Sequence, residues 1–278
     1  MHISLFAALL LNLFSCSLDK TYNNQNTETT PQYQSVPDST VTAEPVDTLN
    51  VEKLAKTSID SNSRVIYLTF DDGPLSPTPF LTEIIHEKQI KMSSFVVGMH
   101  AIMNKAFMRH LDAMKRSAYI EVCNHSYSHA YGKYQNFYSR PEAAAQDIIG
   151  NEDKLGLLTK IVRMPGRDIW ATDSVRRGWS QTGGKTASIL LGKGFKIYGW
   201  DMEWEHYGNT LPKLSPEQLV ALIDSMFKRK ATFTPNHLVF LGHDEMLAKE
   251  KGRKDLRQII DMLKERGYIF EFISNYPR

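Results

Sequence analysis

From Arg64 onward, short apolar runs rich in β-branched and aromatic residues alternate with stretches of helical period, and that alternation narrows the fold more than any other feature of the chain. The strand-like runs are 65–70, 94–97, 119–123, 161–163, 195–200, 238–241 and 268–273. Helical patterns lie near 79–89, 101–116, 141–155, 185–191, 216–229 and 254–266. Repeated strand–helix alternation predicts a parallel sheet, open or closed into a barrel. The fifth helix carries its own start signal: Ser215 as N-cap, Pro216 at the first helical position and Glu217 in the first turn, beside the positive helix end.

Polar residues fall in phase with these strands. Asp71, Asp72, His125, Arg163, Asp201 and His243 each lie at, or just after, the C-terminal end of a strand-like run. In a β/α barrel those ends converge on one face, where catalytic residues gather. The strings that carry them are Thr69-Phe70-Asp71-Asp72-Gly73-Pro74, His125-Ser126-Tyr127-Ser128-His129, Arg163-Met164-Pro165-Gly166, Asp201-Met202-Glu203-Trp204 and Leu241-Gly242-His243. Asp-Asp-Gly-Pro alone is turn chemistry. Beside the histidines it places two carboxylates in different directions, one free to bind a metal and one to face water. His125 and His129 are four apart, a spacing that puts both rings on one side of a helical turn. Two imidazoles and one carboxylate form a ligand set with open positions, the pattern of a catalytic zinc site. His2, His86, His100, His110, His206 and His237 have no partner at ligand spacing and read as surface or capping residues. Cys123 reads as a small buried residue leading into the histidine pair.

Taken in order, the five strings resemble the NodB-homology polysaccharide deacetylases, carbohydrate esterase family 4, over roughly residues 64–275. That resemblance implies an α/β fold, a distorted (β/α)7 TIM-like barrel occupying 63–278. It also implies roles. Asp71 is the general base, Asp72, His125 and His129 hold a divalent metal, Arg163 keeps the base in place, and His243 is the general acid. Gly166 lends its amide to the oxyanion, Leu241 lines the acetyl pocket, and Trp204 either walls the substrate groove or packs in the barrel rim. The fourth string departs from the family's Asp-x-x-Asp-Trp: it is one residue shorter and has Glu203 for the second Asp, so either Asp201 or Glu203 could tune His243. The metal is zinc by default, with Co²⁺, Ni²⁺ or Mn²⁺ able to occupy such a site. The implied reaction is removal of N-acetyl groups from an N-acetylhexosamine glycan, peptidoglycan or chitin-like, by metal-activated water. O-acetyl release from a xylan-type glycan, cleavage of another C–N bond, and a non-catalytic glycan-binding role are the competing readings. Tyr131, Tyr134, Phe137, Tyr138, Trp170 and Trp179 are loop aromatics able to stack on sugars or to fill a core.

The rest of the chain bounds partners and location. Net charge is +2 with 23% charged residues, which offers no basic footprint for nucleic acid. Residues 3–14 are apolar but shorter than the about 20 residues a membrane span needs. They read as a signal segment, 1–16, ending at Leu13-Phe14-Ser15-Cys16, which resembles a bacterial lipobox. The expectation is an exported envelope lipoprotein, anchored through Cys16 and touching the membrane only there. A polar tether over 17–62 would follow. Cys123 then has no disulfide partner, and a monomer is the default expectation.

Overall fold

The computed structural model describes residues 53–277 apart from Ser174, Ser180 and Asn209. The signal segment, Cys16 and the first part of the predicted tether lie outside the described residues. In chain order come β1 (Val65–Asp71), α1 (Thr78–Lys88), β2 (Met92–Val96), α2 (Gly98–Met103), α3 (Lys105–Arg116) and β3 (Ile120–Asn124). They are followed by α4 (Tyr134–Tyr138), α5 (Pro141–Leu155), β4 (Ile161–Val162), β5 (Trp170–Ala171), β6 (Arg176–Arg177), α6 (Gly184–Gly192) and β7 (Lys196–Ile197). The chain closes with β8 (Met202–Glu203), α7 (Pro216–Lys228), β9 (His237–His243), α8 (Glu250–Glu265) and β10 (Ile269–Phe270).

The strands form one sheet in the order β6-β5-β7-β4-β3-β2-β1-β9-β8, with β10 also paired to β1. All pairings are parallel except those of the β5–β6 hairpin and of β5 with β7. This is the expected α/β architecture in half-barrel form: among the described residues the edge strands β6 and β8 do not pair with each other.

Strand β1 shows how sequence period places chemistry. Ile66, Leu68 and Phe70 pack outward into a large cluster with α1, α3, α7 and α8. Val65 and Tyr67 point the other way, into a cluster with Phe95, Trp170, Tyr198, Val239 and Tyr276. A period of two therefore sends Thr69 and Asp71 to the inner side as well. The register sets Asp71 beside His243 on β9 and beside Phe95 on β2, and Asn124 beside Val162. The strand ends thus deliver Asp71, His125, Arg163 and His243 to one rim.

Local signals explain the boundaries. The helix predicted over 101–116 is two helices, because Asn104 turns extended and its Oδ1 accepts the Phe107 amide at 2.9 Å, capping α3. At α7 the Ser215 cap is a full capping box: Ser215 Oγ accepts the Gln218 amide and Gln218 Oε1 accepts the Ser215 amide, worth about 1 kcal/mol. Residues 53–62, assigned by composition to the tether, are held to the domain. The Thr57 amide donates to Glu271 at 2.8 Å, the Leu54 amide to the Ala118 carbonyl at 3.4 Å, and Lys53 to the Lys115 carbonyl at 3.1 Å. Backbone and lysine hydrogen bonds do this, with Ile59 alone of the segment packing against the inner core.

Candidate active site

The rim is organised by Arg163, a fully buried guanidinium at the end of β4. Its Nη1 donates to Asp71 Oδ1 and to Thr69 Oγ1, both at 2.8 Å, its Nη2 to the Gly199 carbonyl at 2.9 Å and its Nε to the Tyr198 carbonyl at 3.3 Å. One side of the guanidinium faces the Phe95 ring at 4.3 Å. A buried ion pair survives only when its remaining donors are satisfied, and every Arg163 nitrogen is. The consequence is a carboxylate, Asp71, fixed in position with Oδ2 turned toward His125 Nε2 at 3.6 Å.

Asp72, His125 and His129 bring three ligand atoms within 4.8 Å of one another, the one such group among the described residues. Asp72 Oδ1 lies 3.1 Å from His129 Nε2 and 3.5 Å from His125 Nε2. That oxygen is buried and makes no well-aligned hydrogen bond, as expected when ligand atoms aim at a common point rather than at each other. His125 Nδ1 lies 2.8 Å from the Arg163 carbonyl. A carbonyl only accepts, so Nδ1 carries the hydrogen and Nε2 keeps its lone pair toward the site, the tautomer a metal requires. Burial pushes the His125 imidazole down against the pull of Asp71 and Asp72, which keeps it in the neutral ligand form. Burial alone would lower His129 and raise Asp72. Their mutual contact reverses both, so His129 is raised and Asp72 sits well below the usual carboxylate range, helped by His125 and His243. The donor set, neutral nitrogen plus hard oxygen, fits a divalent cation.

The histidine pair is not built by a helical turn, as its spacing predicted. After β3 the chain forms a loop with Ser126 at φ 70°, then a short 3₁₀ turn, His129–Gly132, in which His129, Ala130 and Tyr131 have φ of 49°, 55° and 49°. Side chains pin it. Asn124 Oδ1 accepts the Ser126 amide at 2.8 Å, Asp147 Oδ1 accepts the Tyr127 and Ser128 amides at 3.0 and 3.2 Å, and Ser126 Oγ accepts the His129 amide at 3.0 Å. Asp72 is also left-handed, at φ 75°. Left-handed non-glycine residues cluster where surrounding structure holds them for function.

Residues 58–183 match the family model described as polysaccharide deacetylase. A chitin disaccharide deacetylase of Vibrio alginolyticus is 23% identical over 76% of this chain and 71% of its own length. A peptidoglycan-N-acetylglucosamine deacetylase of Bacillus cereus is 24% identical over 80% and 74%. Among solved structures, the catalytic domain of a peptidoglycan N-acetylglucosamine deacetylase from Eubacterium rectale superposes with a TM-score of 0.57 at 24% identity, covering 81% of this chain and 94% of that one. The matched region is similar to polysaccharide deacetylase domains.

The rim holds the other predicted residues less evenly. His243 ends β9 with Nδ1 buried and unpartnered, 3.9 Å from Glu203 Oε1. Asp201 is not its neighbour: its two oxygens accept the Phe233 amide at 2.6 Å and the Val239 amide at 2.8 Å, stapling the loop that enters β9. Glu203 is therefore the fourth-string carboxylate beside His243. Trp204 is fully buried in the outer core, so it walls no groove. Leu241 is buried on the same strand as His243. Gly166 is exposed at φ 62°, and among the described residues its amide donates to no partner. A Cβ at 166 would meet the Tyr134 ring at 3.0 Å, and that ring stands edge-on to His129 at 5.8 Å. Of the loop aromatics, Trp170 and Tyr138 are core, whereas Tyr131 is 68% exposed.

Three residues stand at the rim that the sequence did not place there: His100 and His206, read as surface or capping residues, and Asp244. His100 Nδ1 lies 2.7 Å from the Asp72 carbonyl and braces that strained residue. His206 stacks edge-on to His243 at 6.0 Å and lies 3.1 Å from Glu245. Asp244, fully buried, accepts from Thr78 Oγ1 and fills the space where a Cβ at Gly73 would stand. Burial, with the charges of Asp72 and Asp71, pushes its carboxyl up to about 7 against the Thr78 bond. No spacing rule reveals any of the three; only the neighbour of a known motif residue would. Cys123 is buried beside Thr159 and Glu121 and takes no part in the site.

Proposed function

We propose that the chain is a metal-dependent de-N-acetylase of an N-acetylhexosamine glycan, peptidoglycan in the first place and chitin-like polymers in the second. The observation that carries this reading is the convergence of Asp72, His125 and His129 beside a second carboxylate, Asp71, that Arg163 immobilises. The names of the relatives, a peptidoglycan and a chitin disaccharide deacetylase, support the substrate class.

Asp72, His125 and His129 would hold the cation, which polarises the amide carbonyl and lowers the pKa of water from about 15.7 towards about 7. Asp71, paired with Arg163 and with Oδ2 turned toward His125, takes the proton of the attacking water. Arg163 restricts it to one orientation, so little reorganisation is needed when that proton moves. The free Gly166 amide is placed to donate to the developing oxyanion. His243, at the end of the neighbouring strand β9, delivers a proton to the departing amine nitrogen, with Glu203 the carboxylate able to orient its ring. Zinc is the ion proposed for this donor set.

We further propose export and lipid anchoring at Cys16, from the apolar 3–14 run and the lipobox-like ending. Loss of lipid labelling in Cys16→Ala checks it; unchanged labelling refutes it.

The direct test of the reaction is acetate release by the full chain from chitooligosaccharides, peptidoglycan fragments and acetylated xylan, with chelator and with added Zn²⁺. Metal-dependent acetate from an amide glycan is expected. Release from xylan alone would make the enzyme an esterase, and none from any substrate would leave a binding protein.

A further inference from the structure

The His129–Gly132 turn has a second side. Behind it, between α4 and the start of α5, lies a cleft of about 360 Å³ lined by Ser128, Tyr131, Lys133, Asn136, Arg140 and Asp147 among others. Three observations meet there. Ser128 is 4% exposed and its Oγ has no hydrogen-bond partner, an unfavourable state for a buried hydroxyl unless something fills the need. Lys133 and Arg140 make no ion pair or side-chain hydrogen bond among the described residues, although Arg163, Arg177, Arg257 and Arg266 are all paired. And the wall they share is the run of left-handed residues that also presents His129 to the catalytic rim.

We propose that this cleft binds a carboxylate borne by the glycan substrate, an inference that rests on the deacetylase reading above and narrows its substrate to acidic glycans. The donors suit the group. A guanidinium fork, an ammonium and a hydroxyl hydrogen all donate, and a carboxylate offers about four acceptor positions. The charge suits it too. Asp147 is the cleft's one carboxylate, and its Oδ1 is occupied by the Tyr127 and Ser128 amides. Two cations against one anion leave a single positive charge, which a carboxylate neutralises. Neutral sugar hydroxyls accept from the same donors but leave the positive charge uncompensated. The exposed Tyr131 ring offers the sugar bearing that carboxylate a flat apolar face, and the cleft is lined by Ser128 and Ala130, the chain neighbours of His129.

The test compares three glycans on the full-length, metal-loaded protein: peptide-free peptidoglycan strands carrying lactyl carboxylates, the same strands methyl-esterified, and chitooligosaccharides of matched length. Esterification should cut wild-type kcat/KM about tenfold. The Lys133→Gln/Arg140→Gln double variant should lose the same factor on the acidic strands, through KM, and none on the other two. Equal loss on all three glycans, or no loss on any, overturns the proposal. If the wild type releases acetate from nothing, the deacetylase reading fails. Equilibrium binding then judges the cleft by itself: a wild-type preference for acidic over esterified strands that the double variant lacks supports it, and equal binding refutes it.

Discussion

The two halves of the rim are built to different standards. Around Asp72, each side chain is tied to backbone or to another buried group: Asp71 to Arg163, His125 to the Arg163 carbonyl, the turn to Asn124 and Asp147. Around His243, Nδ1 has no partner within hydrogen-bond reach, and Glu203 stands 3.9 Å away with a side chain 36% exposed. The contrast follows from where the residues sit. Both halves share buried, paired strands, since β9 runs in register with β1 as far as His243, but the first half adds side-chain ties on β1 and β3. The second pairs β9 with the two-residue strand β8, after which the chain leaves for the surface.

Substitutions that divide these halves have ranked consequences. Asp71→Asn should lower kcat by about 10²–10⁴-fold, the range general-base catalysis supplies, while bound metal is unchanged; metal loss in parallel would show that Asp71 is a ligand. Arg163→Met leaves Asp71 buried without its cation and should cost about 3–5 kcal/mol of stability, read by denaturant unfolding. A loss near zero would mean that solvent reaches Asp71.

Asp244→Asn probes the support beneath the metal loop. The wild-type carboxyl is pushed up to about 7, from 3.8 in the unfolded chain. The folded state therefore binds the proton more tightly, and stability falls as pH rises from about 4 to about 7. At about 1.4 kcal/mol for each tenfold in proton affinity, that loss approaches about 4 kcal/mol. The amide should remove this slope in metal-free protein, making the variant the more stable form above pH 7; identical slopes would contradict it.

The smallest effects separate two carboxylates of one string. Glu203→Gln should reduce kcat by about tenfold or less with unfolding unchanged. Asp201→Asn should leave kcat nearly intact and cost about 1–3 kcal/mol, because one of its two backbone amides loses its acceptor. The reverse pattern would return the orienting role to Asp201.

The same division marks what was legible in the chain. Strand ends announce Asp71, His125, Arg163 and His243, because hydrophobic period and parallel register place them with no further information. The 125–129 spacing picked out two histidines that do converge with Asp72, but not through a helical turn: left-handed Ser126 and His129 are ordinary L-residues whose conformation no local rule reports. Asp201 and Trp204 resemble functional residues in their motif yet serve backbone and core, since two missing or altered positions in a short string turn a side chain without altering its letter. Among the described residues, the β5–β6 hairpin and β8, two-residue strands made by tertiary pairing, carry no periodic signal at all.

The most direct measurement is an equilibrium zinc titration of the metal-free full chain, run beside Asp71→Asn and His125→Ala and read as bound ion per chain. One tightly bound ion in the wild type and in Asp71→Asn, with none in His125→Ala, is the expected result, because two ligands rarely retain zinc on dilution. Equal binding in His125→Ala would place the metal elsewhere and dismantle the catalytic assignment built on Asp72, His125 and His129.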